Sequence, residues 1–340
     1  MKSNSVQKPV KYYGPIAEVC EKFVSEKKAV GYDYEQGAKR ISDFSKFTAS
    51  FEFPKNTLPE YVVMAYVERR PNEAFRNREN RCSTVICLAE FMLRNDYDAF
   101  LLPRELIGKR PSRYAPYIFP HNEIIRMFEY FDGLEYKKGS WAPRRHLIMP
   151  VLFRCLYCCG LRVSEAVNLL GEDVDLSEGI LFVSDAKFGK RRYVPVNNDL
   201  LTKLRKYDES RLKNPDPEKD WFFAAPDGGP YSIRSVYSIF RECLKQVGIP
   251  YKGRGKGPRL HDLRHTFAVH YLQKTVEMGY DPTTALPRLS AYMGHSNFYS
   301  TEYYLRMVAE MHPQVIEQLE KDTGYIIPSL GAQTNEKKST

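Results

Sequence analysis

The chain has 340 residues, of which 51 are Lys or Arg and 42 are Asp or Glu, so it carries a formal net charge of +9. This length predicts two domains, and 43% hydrophobic with 27% charged residues is typical of a globular protein, which argues against disorder. No apolar run of about 18 residues predicts a membrane span, and the polar N-terminus lacks the apolar core of a signal peptide. We therefore expect a cytoplasmic protein without a membrane partner. Its positive charge suits a polyanionic partner, and nucleic acid is the first candidate.

The first part of the chain predicts a small helical bundle. After a flexible polar tail at residues 1–13, apolar residues recur at helical spacing in four stretches. These predicted helices cover residues 16–31, 34–50, 58–70 and 76–95. We take residues 14–100 as the first domain.

Residues 101–120 are dense in proline and are expected to link the two domains, since proline breaks helices and stiffens an extended chain. Lys109, Arg110 and Arg113 make this linker basic. Two interpretations stay open: these side chains face solvent, or they follow a phosphate backbone.

The second domain, at residues 121–312, is α-rich with one β region. The predicted strands lie within residues 173–196, bounded by turn residues. The predicted helices cover residues 121–132, 144–160, 161–170, 198–213, 232–247, 261–278, 283–293 and 301–311. The fold class is therefore mainly α with a small antiparallel β-sheet (α+β). Residues 313–340 form a C-terminal tail with one further amphipathic helix.

The seven cysteines indicate a reducing compartment, because their number is odd and their spacing is not that of a disulfide framework. Cys155 and Cys158 form a C-x-x-C pair, but no second pair of ligands follows at zinc spacing. Their surroundings, "LIMPVLFRCLYCCGL", predict a buried helix in which cysteine packs as a small hydrophobe. We expect no metal site and no cofactor.

Five short stretches of the second domain concentrate unusual chemistry. Taken singly, each has an ordinary explanation; an Arg and a Glu three residues apart usually form a solvated surface pair. Their joint order is more informative. The stretches are "GLRVSE" with Arg162 and Glu165, "AKFGK" with Lys187, "HDLRH" with His261 and Arg264, "GH" with His295, and "STEYYLRM" with Tyr304.

This order of Arg, Lys, His-x-x-Arg, Gly-His and Tyr closely resembles the tyrosine recombinase/integrase family, to which lambda integrase, Cre and the Xer recombinases belong. The resemblance covers residues 120–312. It implies that a core-binding (SAM-like) domain and a catalytic domain form a C-shaped clamp on DNA. It also implies site-specific recombination through a 3′-phosphotyrosine and a Holliday junction, without ATP or metal.

The resemblance further implies partners. The enzyme would act as a homotetramer on double-stranded DNA with paired recombination sites, and would be monomeric or weakly self-associated when free. The tail after residue 313 would dock on a neighbouring subunit or pack on its own domain. The interval between "HDLRH" and "GH" is longer than in compact members, which predicts an extra loop near the site.

The family pattern marks Tyr304 as the nucleophile rather than Tyr303 or Tyr299. Two arginines suit the substrate, because guanidinium forks match phosphate oxygens and stay charged at any working pH. Arg162 and Arg264 fill this role. His261 and His295 can donate further hydrogen bonds to the phosphate.

The remaining roles concern protons and support. His261 is our candidate acceptor of the tyrosine proton, since a neutral phenol is a weak nucleophile. Lys187 is the candidate general acid for the leaving 5′ oxygen. Glu165 would hold a neighbouring side chain in place.

Phosphate contacts are expected from the linker and from a basic loop ahead of "HDLRH". These predicted DNA-binding residues are Lys109, Arg110, Arg113, Lys252, Arg254, Lys256 and Arg259. Two alternatives use the same residues: a type IB topoisomerase-like nicking-closing enzyme, and an inactive relative that only binds DNA.

Overall fold

The computed structural model describes residues 10–32, 34–108, 115–139, 142, 144–184, 191–251, 253, 257–295, 303–305 and 307–308. The chain divides after residue 114 into two compact units. No helix in these ranges is long and apolar enough to cross a membrane.

The first unit is a bundle of four helices. They are α1 (Ala17–Ala29), α2 (Glu35–Thr48), α3 (Glu60–Val67) and α4 (Phe75–Arg94). In α2, Ile41, Phe44, Ser45 and Thr48 are buried at helical spacing. They contribute to one face that closes the bundle core.

The segment predicted as a linker is attached to a core at each of its described ends. Leu102 is buried in the core of the first unit. Phe119 is buried in the core of the second unit, and its backbone N–H donates to the Thr266 hydroxyl at 3.1 Å. Lys109, Arg110 and Arg113 lie outside the described residues.

The described part of the second unit contains the sheet and further helices. The helices are α5 (His121–Asp132), α6 (Arg145–Cys158), α7 (Val163–Val167), α8 (Asn198–Ser210), α9 (Ile233–Gln246), α10 (Asp262–Glu277) and α11 (Pro282–Met293). A last helical stretch includes residues 303–305 and 307–308. In α9 the buried residues recur at the spacing of a surface helix, which turns one face to the core.

Three antiparallel strands form the sheet in the order β1 (Val174–Asp175), β2 (Ile180–Ser184), β3 (Arg191–Pro195). Leu181 and Val194 are paired across β2 and β3, and both are buried. Alternate residues of these strands therefore face the core. The described residues confirm a mainly α fold with a small antiparallel sheet.

Candidate active site

The carboxylate of Glu165 organises the arginines at the centre of the second unit. Arg162 precedes α7 as its N-cap, so the two residues do not share a helix face as expected. Oε2 of Glu165 accepts the backbone N–H of Arg162 at 2.8 Å, which satisfies an amide left unpaired at a helix start. Oε1 of Glu165 accepts a hydrogen bond from Nη1 of the same arginine at 2.7 Å. One carboxylate thus holds both the amide and the side chain of Arg162.

Arg192, on β3, is the second partner of this carboxylate. Its Nη1 and Nη2 donate to the two oxygens of Glu165 at 3.0 and 2.8 Å, a parallel fork. Its Nε donates to the Tyr292 carbonyl at 2.9 Å. Burial alone would raise the pKa of Glu165, but the bonds from Arg192 hold it below its usual range. The pair fixes β3 against α7 and the end of α11.

Arg264 is almost completely buried, with 2% of its surface exposed. Its Nη1 donates to the Gly160 carbonyl at 2.6 Å and its Nη2 to the Met293 carbonyl at 2.7 Å. Both carbonyls lie at helix ends, which leave acceptors unpaired. Desolvation and then the charge of Arg162 lower the pKa of Arg264 to about 10, so it stays charged at neutral pH.

Gly160 allows this close approach. Its φ of +56° is a conformation that side chains disfavour, and a Cβ there would lie 2.6 Å from the ring of Phe267. The glycine therefore lets the backbone after α6 meet α10 and present its carbonyl to Arg264.

Tyr304 belongs to the last helical stretch and is 2% exposed. It packs with Val308 in an apolar cluster supplied mainly by α10 and α11. Its hydroxyl lies 2.8 Å from Nδ1 of His265 on α10. Burial raises the pKa of the phenol to about 12, although Arg264 and Arg162 act to lower it. The phenol is therefore neutral at neutral pH.

The contact with His265 differs from the sequence expectation, which gave the tyrosine proton to His261. His261 is the N-cap of α10 and exposed, whereas His265 lies one turn further along, half-buried. Because residues four apart share a helix face, His261 and His265 lie on the same side of α10. The tyrosine contacts His265 on the second turn instead of His261 on the first.

His265 and His295 contact the tyrosine and His261 lies beside His265, and all three histidines have a pKa below the usual range. Desolvation, followed by neighbouring positive charge, lowers it to about 3 for His265 and about 4 for His295. The pKa of His261 is also lowered to about 4, first by desolvation and then by the charge of Arg264. The rings of His295 and Tyr304 are stacked at 6.1 Å.

The other predicted site residues are only partly described. Lys187 lies outside the described residues, as do Lys252, Arg254 and Lys256. Arg259 is exposed, and its backbone N–H donates to the Asp262 carboxylate at the start of α10.

No three His, Cys, Asp or Glu side chains of the described ranges could hold a metal ion together. Cys155 and Cys159 are buried in the core, where they pack as small apolar groups.

Comparison with known families decides the assignment. The model of the phage integrase family matches residues 121–311, more than half of the chain and all of the site above. The chain belongs to the phage integrase family. The resemblance to tyrosine recombinases is thereby confirmed.

Similar proteins include recombinases and a transposon integrase. Tyrosine recombinase XerC of Halalkalibacterium halodurans is 31% identical to this integrase-family chain over 296 residues, which covers 82% of this chain and 86% of the relative. The Tn1549 transposon integrase, solved with a circular intermediate DNA, is 14% identical with a TM-score of 0.60 over 84% of this chain and 94% of its own. XerH bound to a palindromic difH substrate is 16% identical, with a TM-score of 0.58; the match covers 90% of this chain and 82% of the XerH chain. The two structures show a shared fold.

Two residues of this candidate site were not predicted from the sequence. Arg192 is two positions from the buried Val194, so strand alternation places both side chains on the inward face. A charged side chain on that face needs an oppositely charged partner, because burying an unpaired charge is costly. His265 is one helical turn after His261, so it shares the face that carries the motif.

Proposed function

We propose that this recombinase cuts a DNA strand by attack of the Tyr304 oxygen on a phosphodiester and joins the end to a second site. One observation carries the proposal: the Tyr304 hydroxyl lies against His265, the Tyr304 ring stacks on His295, and the charges of Arg162 and Arg264 act on that phenol. Tyr303 is half-buried, whereas Tyr304 is 2% exposed. This difference favours Tyr304.

The arginines would stabilise the charge that develops on the phosphate. Arg264 is fixed through two backbone carbonyls, and the guanidinium fork has further N–H groups for a ligand. Arg162 is held by Glu165 with 34% of its side chain exposed, so an anion can reach it. Preorganised donors of this kind supply the largest catalytic contribution in many enzymes.

The leaving 5′ oxygen needs a proton, which we assign to Lys187 between β2 and β3. Cleavage then leaves a 3′-phosphotyrosine and a free 5′ hydroxyl. Because the covalent bond conserves the phosphodiester energy, no ATP is required. Attack by the 5′ hydroxyl of a second strand reverses the chemistry and joins the ends.

We further propose that the enzyme works in the cytoplasm as a homotetramer on two DNA sites. The net charge of +9 supports a polyanionic substrate. The relatives solved with circular-intermediate and difH DNA support duplex DNA as the partner. Lys109, Arg110, Arg113, Lys252, Arg254, Lys256 and Arg259 are the proposed phosphate contacts.

The test is covalent capture of DNA. Duplexes that cover the DNA on either side of the gene are incubated with the protein, stopped with detergent and scored for attached protein. Wild type and Tyr303→Phe should give adducts, whereas Tyr304→Phe should bind DNA and give none. Adducts from Tyr304→Phe at the wild-type level would move the nucleophile to Tyr303.

The rival activities give different outcomes in companion assays. Exchange between two copies of a captured site supports recombination. Relaxation of supercoiled plasmid without any exchange would indicate a nicking-closing enzyme. Retention of DNA with no adduct from the wild type would indicate a binding protein.

A further inference from the structure

We propose that His265 positions Tyr304 for attack and accepts its proton at Nδ1 as the bond to phosphorus forms. This inference rests on the proposed function and replaces His261 as the acceptor. His265 follows the "HDLR" motif and was not among the residues that the family pattern selected.

His265 lies within reach of the tyrosine proton. The Tyr304 hydroxyl and Nδ1 of His265 are 2.8 Å apart, and the two rings are tilted at a centroid distance of 5.5 Å. Both partners are held: the tyrosine ring is 2% exposed in an apolar cluster, and His265 lies within α10. An acceptor must lie within hydrogen-bond reach of the proton that it takes, and His265 meets this condition.

The charges around His265 favour its neutral form. The groups that act on His265 are His261 and Arg264 of α10, Arg259 before it, and His295 after α11, while Tyr304 meets it from the last helical stretch. Desolvation and these groups lower the pKa of His265, so the ring is neutral at neutral pH. A neutral imidazole protonated at Nε2 offers Nδ1 as an acceptor, and the tyrosine O–H then donates to it.

The resting pair keeps its proton on the tyrosine. The pKa is raised to about 12 for Tyr304 and lowered to about 3 for His265, so a phenolate does not form in advance. A DNA phosphate that enters the site adds negative charge, which raises the pKa of a nearby histidine. Proton transfer is therefore coupled to attack.

Cleavage exchanges one bond to phosphorus for another. The Oη–phosphorus bond forms and the bond from phosphorus to the 5′ oxygen breaks. The proton of Tyr304 passes to Nδ1 of His265, and the 5′ oxygen takes a proton from Lys187. Strand joining returns both protons to their sources.

The chain offers a matched control on the same helix. Nδ1 of His270 lies 2.8 Å from the hydroxyl of Tyr157, and its pKa is also lowered to about 4, first by desolvation. Tyr157 is on α6, outside the predicted site. His270→Ala therefore removes an equivalent bond without touching the nucleophile.

The experiment measures single-turnover cleavage of a nicked suicide duplex built on a captured sequence. At pH 7 we expect His265→Ala to cleave about 100-fold more slowly than wild type, a typical loss for a general base, with DNA affinity changed less than about threefold. This deficit should shrink as the pH rises to about 9, because hydroxide then removes the proton. His270→Ala should cleave within about threefold of wild type.

His265→Asn keeps an acceptor near the place of Nδ1 but cannot take a proton, so it should stay slow at pH 7 even if His265→Ala fails to fold. The inference is overturned by a wild-type rate in His265→Asn, or by a deficit that is the same at every pH, as a structural role predicts. A wild-type protein that forms no adduct would refute the proposed function instead.

Discussion

Replacing Arg192 by Met tests the claim that one buried ion pair links the sheet to the proposed catalytic arginines. The change removes two hydrogen bonds from Glu165 and one from the Tyr292 carbonyl. The two charged side chains are 12% and 5% exposed, and removing one partner of a buried pair costs roughly 3–5 kcal/mol. Because Arg162 still neutralises the carboxylate, we expect the lower end, about 3 kcal/mol. For a unit of this size the Tm should fall by roughly 6–12 °C.

The assay combines thermal unfolding with suicide-duplex cleavage well below the Tm. Arg211→Met is the control, since Arg211 forms a comparable buried fork with Asp220 at 2.7 and 2.8 Å, outside the site. Both variants should lose stability, but only Arg192→Met should also lose cleavage, because β3 leads out of the segment that carries Lys187. Arg192→Met with wild-type stability, or with stability loss alone, would refute the link between β3 and the site.

Two further predictions follow from the same site. The folded pKa values of His265 and His295, about 3 and about 4, lie below the unfolded value. The stability that these histidines contribute is therefore present above about pH 6.5 and lost as the pH falls toward 4. The urea midpoint of unfolding should drop between pH 7 and pH 4.5, and it should drop less in His265→Asn; equal drops in the two proteins would contradict this. Gly160→Ala should unfold more easily by roughly 1–3 kcal/mol and cleave poorly, because its Cβ would meet Phe267. Gly228→Ala, with positive φ but open space, should show only the backbone strain and cleave normally.

Much of the fold was predictable because its signals are local. Apolar spacing located helices such as α5 and α9, and turn residues located the strands. The extent of α7 could not be predicted. This helix has five residues with Arg162 as its N-cap, and so short a stretch does not show a hydrophobic period.

The sequence predicted which residues form the candidate site better than it predicted which of them contact each other. Motif order marked Arg162, Arg264 and Tyr304, but the histidine that meets the tyrosine depends on how the last helical stretch packs against α10. The role of Arg192 depends on strand register, which brings a residue 27 positions away onto Glu165. Such long-range pairing leaves no spacing rule in the sequence.

The anchoring of Phe119 bears on how the second unit can be isolated. A fragment cut at residue 121, where the family match starts, would lack a fully buried ring and leave the Thr266 hydroxyl without the amide that donates to it. Emptying a buried phenylalanine site costs roughly 3–5 kcal/mol, a large share of the stability of a typical domain. A separately expressed catalytic half should therefore begin at or before residue 115.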